Sequence, residues 1–210
     1  MAKYIGPKCR LCRTEGKQLF LKGERCFLRD KCAVLRRQSA PGMHGGKRKN
    51  KMTGYGEQLR EKQKIKKIYG VMEKQFRIYV EKATAAKGVS GTVLLQYLER
   101  RFDNVITRAS FAPSRSAARQ LIVHGHYKIN GKKVDVPSYI LKPNDVVEVS
   151  EKAKAILPIK SSVENASKRN SSEWLEVEPD KFKLKMARMP ERTDIDPEIN
   201  ENLVIEFYSR

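Results

Sequence analysis

The sequence predicts an α+β fold: a mainly helical part, a small antiparallel sheet carrying two short helices, and a metal-binding loop at the N-terminus. Three observations predict it. Apolar residues recur at helical spacing in two stretches between residues 56 and 109. From 126 to 150 the pattern changes to alternation around a hairpin signal. All four cysteines fall within the first 32 residues.

The cysteines read C-x2-C at Cys9 and Cys12, thirteen residues, then C-x5-C at Cys26 and Cys32. The tight first pair lets two thiolates reach one ion, and the looser second pair is within reach of a loop. The start MAKYIGPK has no apolar leader-type run, so the expected compartment is a reducing cytoplasm, where clustered thiols hold metals rather than form disulfides. A zinc ion on four thiolates carries a formal charge of −2. Lys8, Arg10, Arg13, Arg25 and Lys31 flank the ligands and offset that charge. The expectation is one zinc ion on Cys9, Cys12, Cys26 and Cys32; an iron–sulfur cluster on the same thiolates is the open alternative. No thioredoxin-like pattern surrounds Cys9 and Cys12, which argues against redox catalysis.

The chain carries a net charge of +20 and a pI near 9.9. The excess is uneven: +12 over residues 1–60, +9 over 61–150 and −1 over 151–210. Such a field selects a polyanion, and no run approaches the roughly 18 apolar residues that span a bilayer, so nucleic acid is favoured over a membrane. The linker PGMHGGKRKNKMTGYG has no apolar periodicity and bears Lys47, Arg48 and Lys49. It reads as an arm that orders on an RNA backbone, each cation displacing a condensed counterion. His44 reads as a loop or RNA-facing residue rather than a fifth metal ligand.

Residues 56–86 read as two helices. The first has a thin stripe of Leu59, Ile65, Ile68 and Tyr69, cations including Arg60, Lys64 and Lys67 around it, and Gly70 as its stop. Those cations are expected on phosphate. The second carries Phe76, Ile78, Tyr79 and Val80 on one face and ends by Gly88. Next, Leu94, Leu98, Phe102, Val105 and Ala109 predict a single amphipathic helix capped by Ser90, with Arg100, Arg101, Asn104 and Arg108 on its polar side. Ser114 caps a short helix that ends at Gly125, with Ala118, Leu121 and Ile122 inward and Arg115 and Arg119 outward. Asn130 and Gly131 then form a hairpin turn, with Lys132 and Lys133 just past it and His124 and His126 before it. The expected RNA-binding surface is Arg101, Arg108, Arg115 and Arg119 along one side, with Arg100 and Ser114, and the Lys-bearing hairpin at the end. His124 and His126 are either on RNA or packed or capping at the helix end. Guanidinium forks suit phosphate oxygens, and irregular RNA is read largely by shape and backbone.

At this point the residues resemble a known family. The stretch SRSAARQLIVHGHYKINGKKVDVPSY resembles the core of the small RNA-binding module called the S-four domain. The whole chain resembles the bacterial-type small-subunit ribosomal S-four proteins through YIGPKCRLCR, LKGERC, LREKQKIKKIYG, RRFDNV and LVIEFYSR. The second cysteine pair is one residue longer than in metal-bearing members, which implies a longer loop. The resemblance implies a helical domain over residues 46–90 and 180–210, interrupted by an S-four-type RNA-binding domain over 91–179 and preceded by the four-cysteine segment 1–45. It further implies a cytoplasmic primary binder of small-subunit ribosomal RNA at a junction in the 5′ domain, which nucleates assembly and contributes to translational accuracy. The implied partners are that RNA, neighbouring small-subunit proteins and messenger RNA where it enters the subunit, with no homo-oligomer. The near-neutral last third, with Asp194, Asp196, Glu198, Glu201 and Glu206, would then face protein.

Two rival classes fit less well. An RNA-modifying enzyme or synthetase carrying an S-four appendage would need a catalytic signature, and no G-x-S-x-G, H-E-x-x-H or P-loop pattern occurs. A zinc-dependent DNA-binding regulator would concentrate its cations on one recognition helix, whereas here they spread over arm, helices and hairpin.

Overall fold

The computed structural model describes residues 3–46, 51–165, 172–196 and 198–209. Two compact units emerge, Met1–Leu94 with Pro197–Arg210, and Leu95–Asp196.

In the first unit, helices α1 (Lys8–Glu15) and α2 (Glu24–Phe27) hold three of the four cysteines, and Cys32 lies at the cap of α3 (Ala33–Arg36). Helix α4 (Gly54–Tyr69) is capped by the Thr53 hydroxyl, which accepts from the Gly56 amide at 3.2 Å, and it ends at Gly70 in the left-handed conformation. Helix α5 (Glu73–Ala85) buries Phe76, Tyr79, Val80 and Ala83. Helix α6 (Ser90–Glu99) carries the chain into the second unit. The chain returns as α11 (Glu201–Tyr208), whose Val204 is fully buried and which packs against α4. Phe207 stacks on Tyr55 with ring centroids 5.6 Å apart, and the Lys62 ammonium sits 4.6 Å from the Phe207 ring centre.

The helix expected over residues 90–109 is broken. After α6 the chain goes extended at Arg101 (φ −61°, ψ 136°) and re-enters helix as α7 (Phe102–Arg108). The break has a cause in the backbone. Residues 100–103 turn aside to pair with residues 137–141: the Phe102 amide donates to Tyr139 at 2.8 Å and the Leu141 amide to Arg100 at 3.0 Å. Ser90 lies within the first turn rather than at the cap, since the Val93 amide already donates to Val89 at 3.0 Å. Helix α8 (Arg115–Val123) starts as expected: the Ser114 hydroxyl accepts from the Ala117 amide.

The sheet holds five antiparallel strands in the order β2-β1-β3-β5-β4. The first three are β1 (Tyr127–Ile129), β2 (Lys132–Lys133) and β3 (Val146–Val149). Asn130 (φ 48°) and Gly131 (φ 79°) both take positive φ, the pairing a tight primed turn requires. Asn130 is fastened further: its side chain donates to Asp145 Oδ1 and accepts from the Val146 amide, each at 2.9 Å. Helices α9 (Glu151–Lys154) and α10 (Leu157–Glu164) follow. Then β4 (Leu175–Glu178) and β5 (Lys183–Met186) complete the sheet. Residues 180–196 were expected in the helical part; β5 instead pairs with both β3 and β4, so the division into units falls after residue 196. The core beneath the sheet includes Phe102, Ile106, Phe111, Tyr127, Trp174 and Leu184. Among the described residues no helix is long and apolar enough to cross a membrane.

Candidate nucleic-acid interface

The second unit decides which of its arginines can meet a ligand. Asp103 is fully buried, and Arg101 grips it with two bonds, Nε to Oδ1 at 3.1 Å and Nη2 to Oδ2 at 2.8 Å. Arg119 Nε donates to the same Oδ2 at 2.7 Å. Arg101 is wholly buried and Arg119 is 9% exposed. A buried carboxylate needs such partners, because its desolvation is repaid only by close charge-assisted bonds. These two arginines were expected to line the RNA side. Their positions make them internal: Arg119 ties α8 to Asp103 of α7, and Arg101 holds the same carboxylate from the start of α7.

A second buried carboxylate organises the rest. Glu99 receives Arg108 through Nε at 3.1 Å and Nη2 at 2.7 Å, and Asn104 Nδ2 at 2.6 Å. Asn104 Oδ1 in turn accepts from Arg115 Nε at 2.8 Å. The Arg108 side chain is 30% exposed and Arg115 is half-buried, so neither is withdrawn as fully as Arg101. Arg100 is half-buried, and its Nε donates to the Leu141 carbonyl at 2.7 Å. Burial depresses its pKa from the ordinary arginine value. Sequence reading missed Glu99 and Asp103; the available signal was the placement of two acids four residues apart among five arginines, Arg100, Arg101, Arg108, Arg115 and Arg119.

The hairpin end is the exposed cationic pole of this unit. Lys132 and Lys133 are exposed, and the His124 and His126 rings lie nearly parallel, 13° apart with centroids at 6.0 Å. Gly125 (φ 74°) lets Lys133 lie across the turn: a Cβ there would meet Lys133 Cε at 1.9 Å. Burial and then the neighbouring His124 and Lys133 charges push the His126 pKa below its ordinary value. Across the strands, Lys133, Lys128, Glu148, Lys183 and Glu178 fall in one register row. Signs alternate along it from Lys128 onward, with Lys183 Nζ 2.7 Å from Glu148, but the hairpin end places Lys133 opposite Lys128. Like charges in register repel, and a bound phosphate would relieve them. Lys128 was absent from the expected set, although the Tyr-Lys-Ile alternation aims it away from the core.

In the first unit the expected phosphate-binding cations of α4 meet partners of the same unit, although Arg60 stays exposed. Lys64 is buried, donating to the Glu198 carbonyl at 2.7 Å and pairing with Glu61. Lys67 pairs with Glu15, and Arg60 Nη1 lies 3.6 Å from the same carboxylate. Lys62 and Lys66 both bind Glu73, as does the Tyr208 hydroxyl. Lys47, Arg48 and Lys49 lie outside the described residues.

Cys9 and Cys12 lie one turn apart on α1, Cys26 on α2 and Cys32 just before α3; Cys12 and Cys32 are buried. Burial raises the Cys12 pKa; the hydrogen bond with the Leu19 backbone opposes it, and the proximity of Cys26, Cys9 and Cys32 adds to the rise. At Cys32 burial acts upward, but hydrogen bonds from Leu35, Gln18 and Val34 bring the pKa below its ordinary value. The Lys22 amide donates to Cys26 Sγ at 3.3 Å and Gln18 Nε2 to Cys32 Sγ at 3.1 Å. These are donors suited to thiolates, so the donor chemistry fits a thiophilic ion. The positions do not yet close on one: among the described residues no three His, Cys, Asp or Glu side chains form a set that could hold a metal. The metal-binding loop expected at the N-terminus is therefore not shown by this geometry.

Comparison with known proteins bears on the same segments. Residues 3–99 match the family described as "Ribosomal protein S4/S9 N-terminal domain", and residues 100–147 match the "S4 domain". The Small ribosomal subunit protein uS4 of Thermodesulfovibrio yellowstonii is 51% identical over 210 residues, all of both chains. The chain belongs to the ribosomal protein uS4 family. Small ribosomal subunit protein uS4A of Clostridium acetobutylicum is 53% identical, and uS4 of Citrifermentans bemidjiense 52%, again over the full length of both chains. The S4-domain match, 100–147, coincides with the run from Arg100 through α7, α8 and the hairpin to β3, which holds the Asp103 network, the Arg108, Asn104 and Arg115 partners of Glu99, and the cationic pole.

Proposed function

We propose that this protein is a structural component of the small ribosomal subunit, in the cytoplasm, and binds small-subunit ribosomal RNA; it is not an enzyme. The observation that carries this reading is family membership over the whole chain at about half identity. The geometry supports it through the hairpin pole. Lys128, Lys132, Lys133, His124 and His126 meet the phosphate backbone, with Arg108, Arg115 and Ser114 beside them and the Lys47, Arg48 and Lys49 arm adding charge. Arg101 and Arg119 act from within, fixing the two helices that present this surface.

Docking at a 5′-domain junction, nucleation of assembly, contacts with neighbouring proteins and with incoming messenger RNA, and an influence on accuracy follow from the same reading. So does a zinc ion on Cys9, Cys12, Cys26 and Cys32, which would clasp the cationic N-terminus in one shape. Elemental analysis of anaerobically purified protein tests it: about one zinc per chain supports the clasp, several irons an iron–sulfur cluster, and neither metal removes both.

Filter binding of the full chain to small-subunit ribosomal RNA, with duplex DNA as competitor at fixed salt, tests the main reading. Preference for the RNA is expected. Preference for the duplex would overturn it in favour of a DNA-binding regulator.

A further inference from the structure

Phe20 and Phe27 stack against each other between α1 and the end of α2, ring centroids 5.1 Å apart and planes 31° apart. Contact between aromatic rings normally accompanies burial. Here Phe20 is 43% exposed and Phe27 57%, and neighbouring Leu28 is 49% exposed. Phe20 reaches this position through a positive φ of 48°, a backbone conformation that side chains other than glycine rarely adopt. A non-glycine residue held in that region to present an open aromatic face is the kind of outlier that marks binding sites.

The surroundings select the ligand. Over residues 17–31 the chain carries five cations and two acids, and Lys22, Arg25, Arg29 and Lys31 are all exposed. An apolar protein segment would gain nothing from that charge. An unpaired nucleotide matches both parts, its base stacking on a ring while its flanking phosphates meet the cations. We propose that the Phe20–Phe27 pair is a stacking platform for an unpaired base of the RNA this protein binds. The inference rests on the ribosomal-RNA reading above and adds a site outside the S4-domain segment.

The test is filter binding of full-length wild type, Phe27→Leu, Phe27→Trp and Phe20→Leu to small-subunit ribosomal RNA over a series of salt concentrations. Leucine keeps the apolar bulk but has no ring to stack. Affinity of the leucine variants is expected to fall about 5- to 150-fold, the worth of one base–aromatic stack. Phe27→Trp should bind as wild type. The slope of log affinity on log salt should stay the same in all four proteins, because stacking releases no counterions. Leucine variants with wild-type affinity would overturn the platform while leaving RNA binding intact. A lowered affinity accompanied by a shallower salt slope would also overturn it, since lost phosphate contacts would then explain the defect. So would a variant that binds RNA normally and loses only association with a neighbouring ribosomal protein. A wild-type chain with no salt-dependent RNA affinity would instead overturn the functional reading itself.

Discussion

Asp103 and Glu99 do for this protein what a surface count of arginines would not suggest. Asp103 takes two guanidinium groups and Glu99 takes one, all placed by sequence on polar helix faces, and both acids turn them into struts. Breaking a buried ion pair from one side leaves an uncompensated charge, so Asp103→Ala should destabilise the protein by about 3–5 kcal/mol in urea denaturation. A loss below about 1 kcal/mol would show that Arg101 needs no buried counter-ion. Glu73 illustrates the opposite case, a half-exposed carboxylate with several donors. Partial burial pushes its pKa up, but hydrogen bonds from Lys62, Lys66 and Tyr208 outweigh that and hold it at about 2, below the ordinary 4.5. The ionised form is therefore favoured by folding. Its contribution is complete above about pH 4.5 and disappears as the pH falls toward 2. Thermal melts of wild type and Glu73→Gln should differ at pH 6 and converge by about pH 2; a difference independent of pH would refute this assignment.

At the scale of elements, local chemistry specified most boundaries. Thr53 and Ser114 cap their helices, Gly70 stops α4, and Asn130 with Gly131 makes the turn between β1 and β2. Each of these signals acts within a few residues, so it reads without knowledge of the rest of the chain. The break between α6 and α7 and the membership of β5 in the sheet act over longer range. Periodicity ran unbroken through residues 94–109, because the same apolar positions stay buried on both sides of the kink. Only the 137–141 segment, by offering backbone partners, decides that the helix stops. Strand β5 is 1% exposed at Leu184, between Val147 on β3 and Val177 on β4. Leu184→Ala should cost about 2–5 kcal/mol by urea denaturation. A cost typical of a surface site would mean that β5 is not part of the core sheet.

For the whole molecule the dominant quantity is its charge of +20. If the hairpin pole and the arm together make about 6–10 phosphate contacts, affinity for the ribosomal RNA should fall about 10³- to 10⁵-fold between 50 and 200 mM salt. Lys132→Ala with Lys133→Ala should make that dependence shallower by a slope of about 1–2, whereas Lys64→Ala, whose ammonium is bound to Glu61 and the Glu198 carbonyl, should leave the slope unchanged. Equal slopes in wild type and the Lys132, Lys133 double variant would remove the hairpin from the interface.

The sequence by itself determined the class of fold, the family, the cationic character, the hairpin and its flanking lysines and histidines. All of these rest on composition, on short-range spacing or on end-to-end similarity. The tertiary structure decided which charges are available. A polar helix face records only that a side chain is not apolar; it does not record whether the charge meets water or a carboxylate. That depends on what the fold sets opposite it: Asp103 beneath Arg101 and Arg119, Glu99 beneath Arg108, and Glu15 and Glu198 against α4. Buried charge survives only where such a partner stands within hydrogen-bonding distance, and several of those partners come from distant parts of the chain.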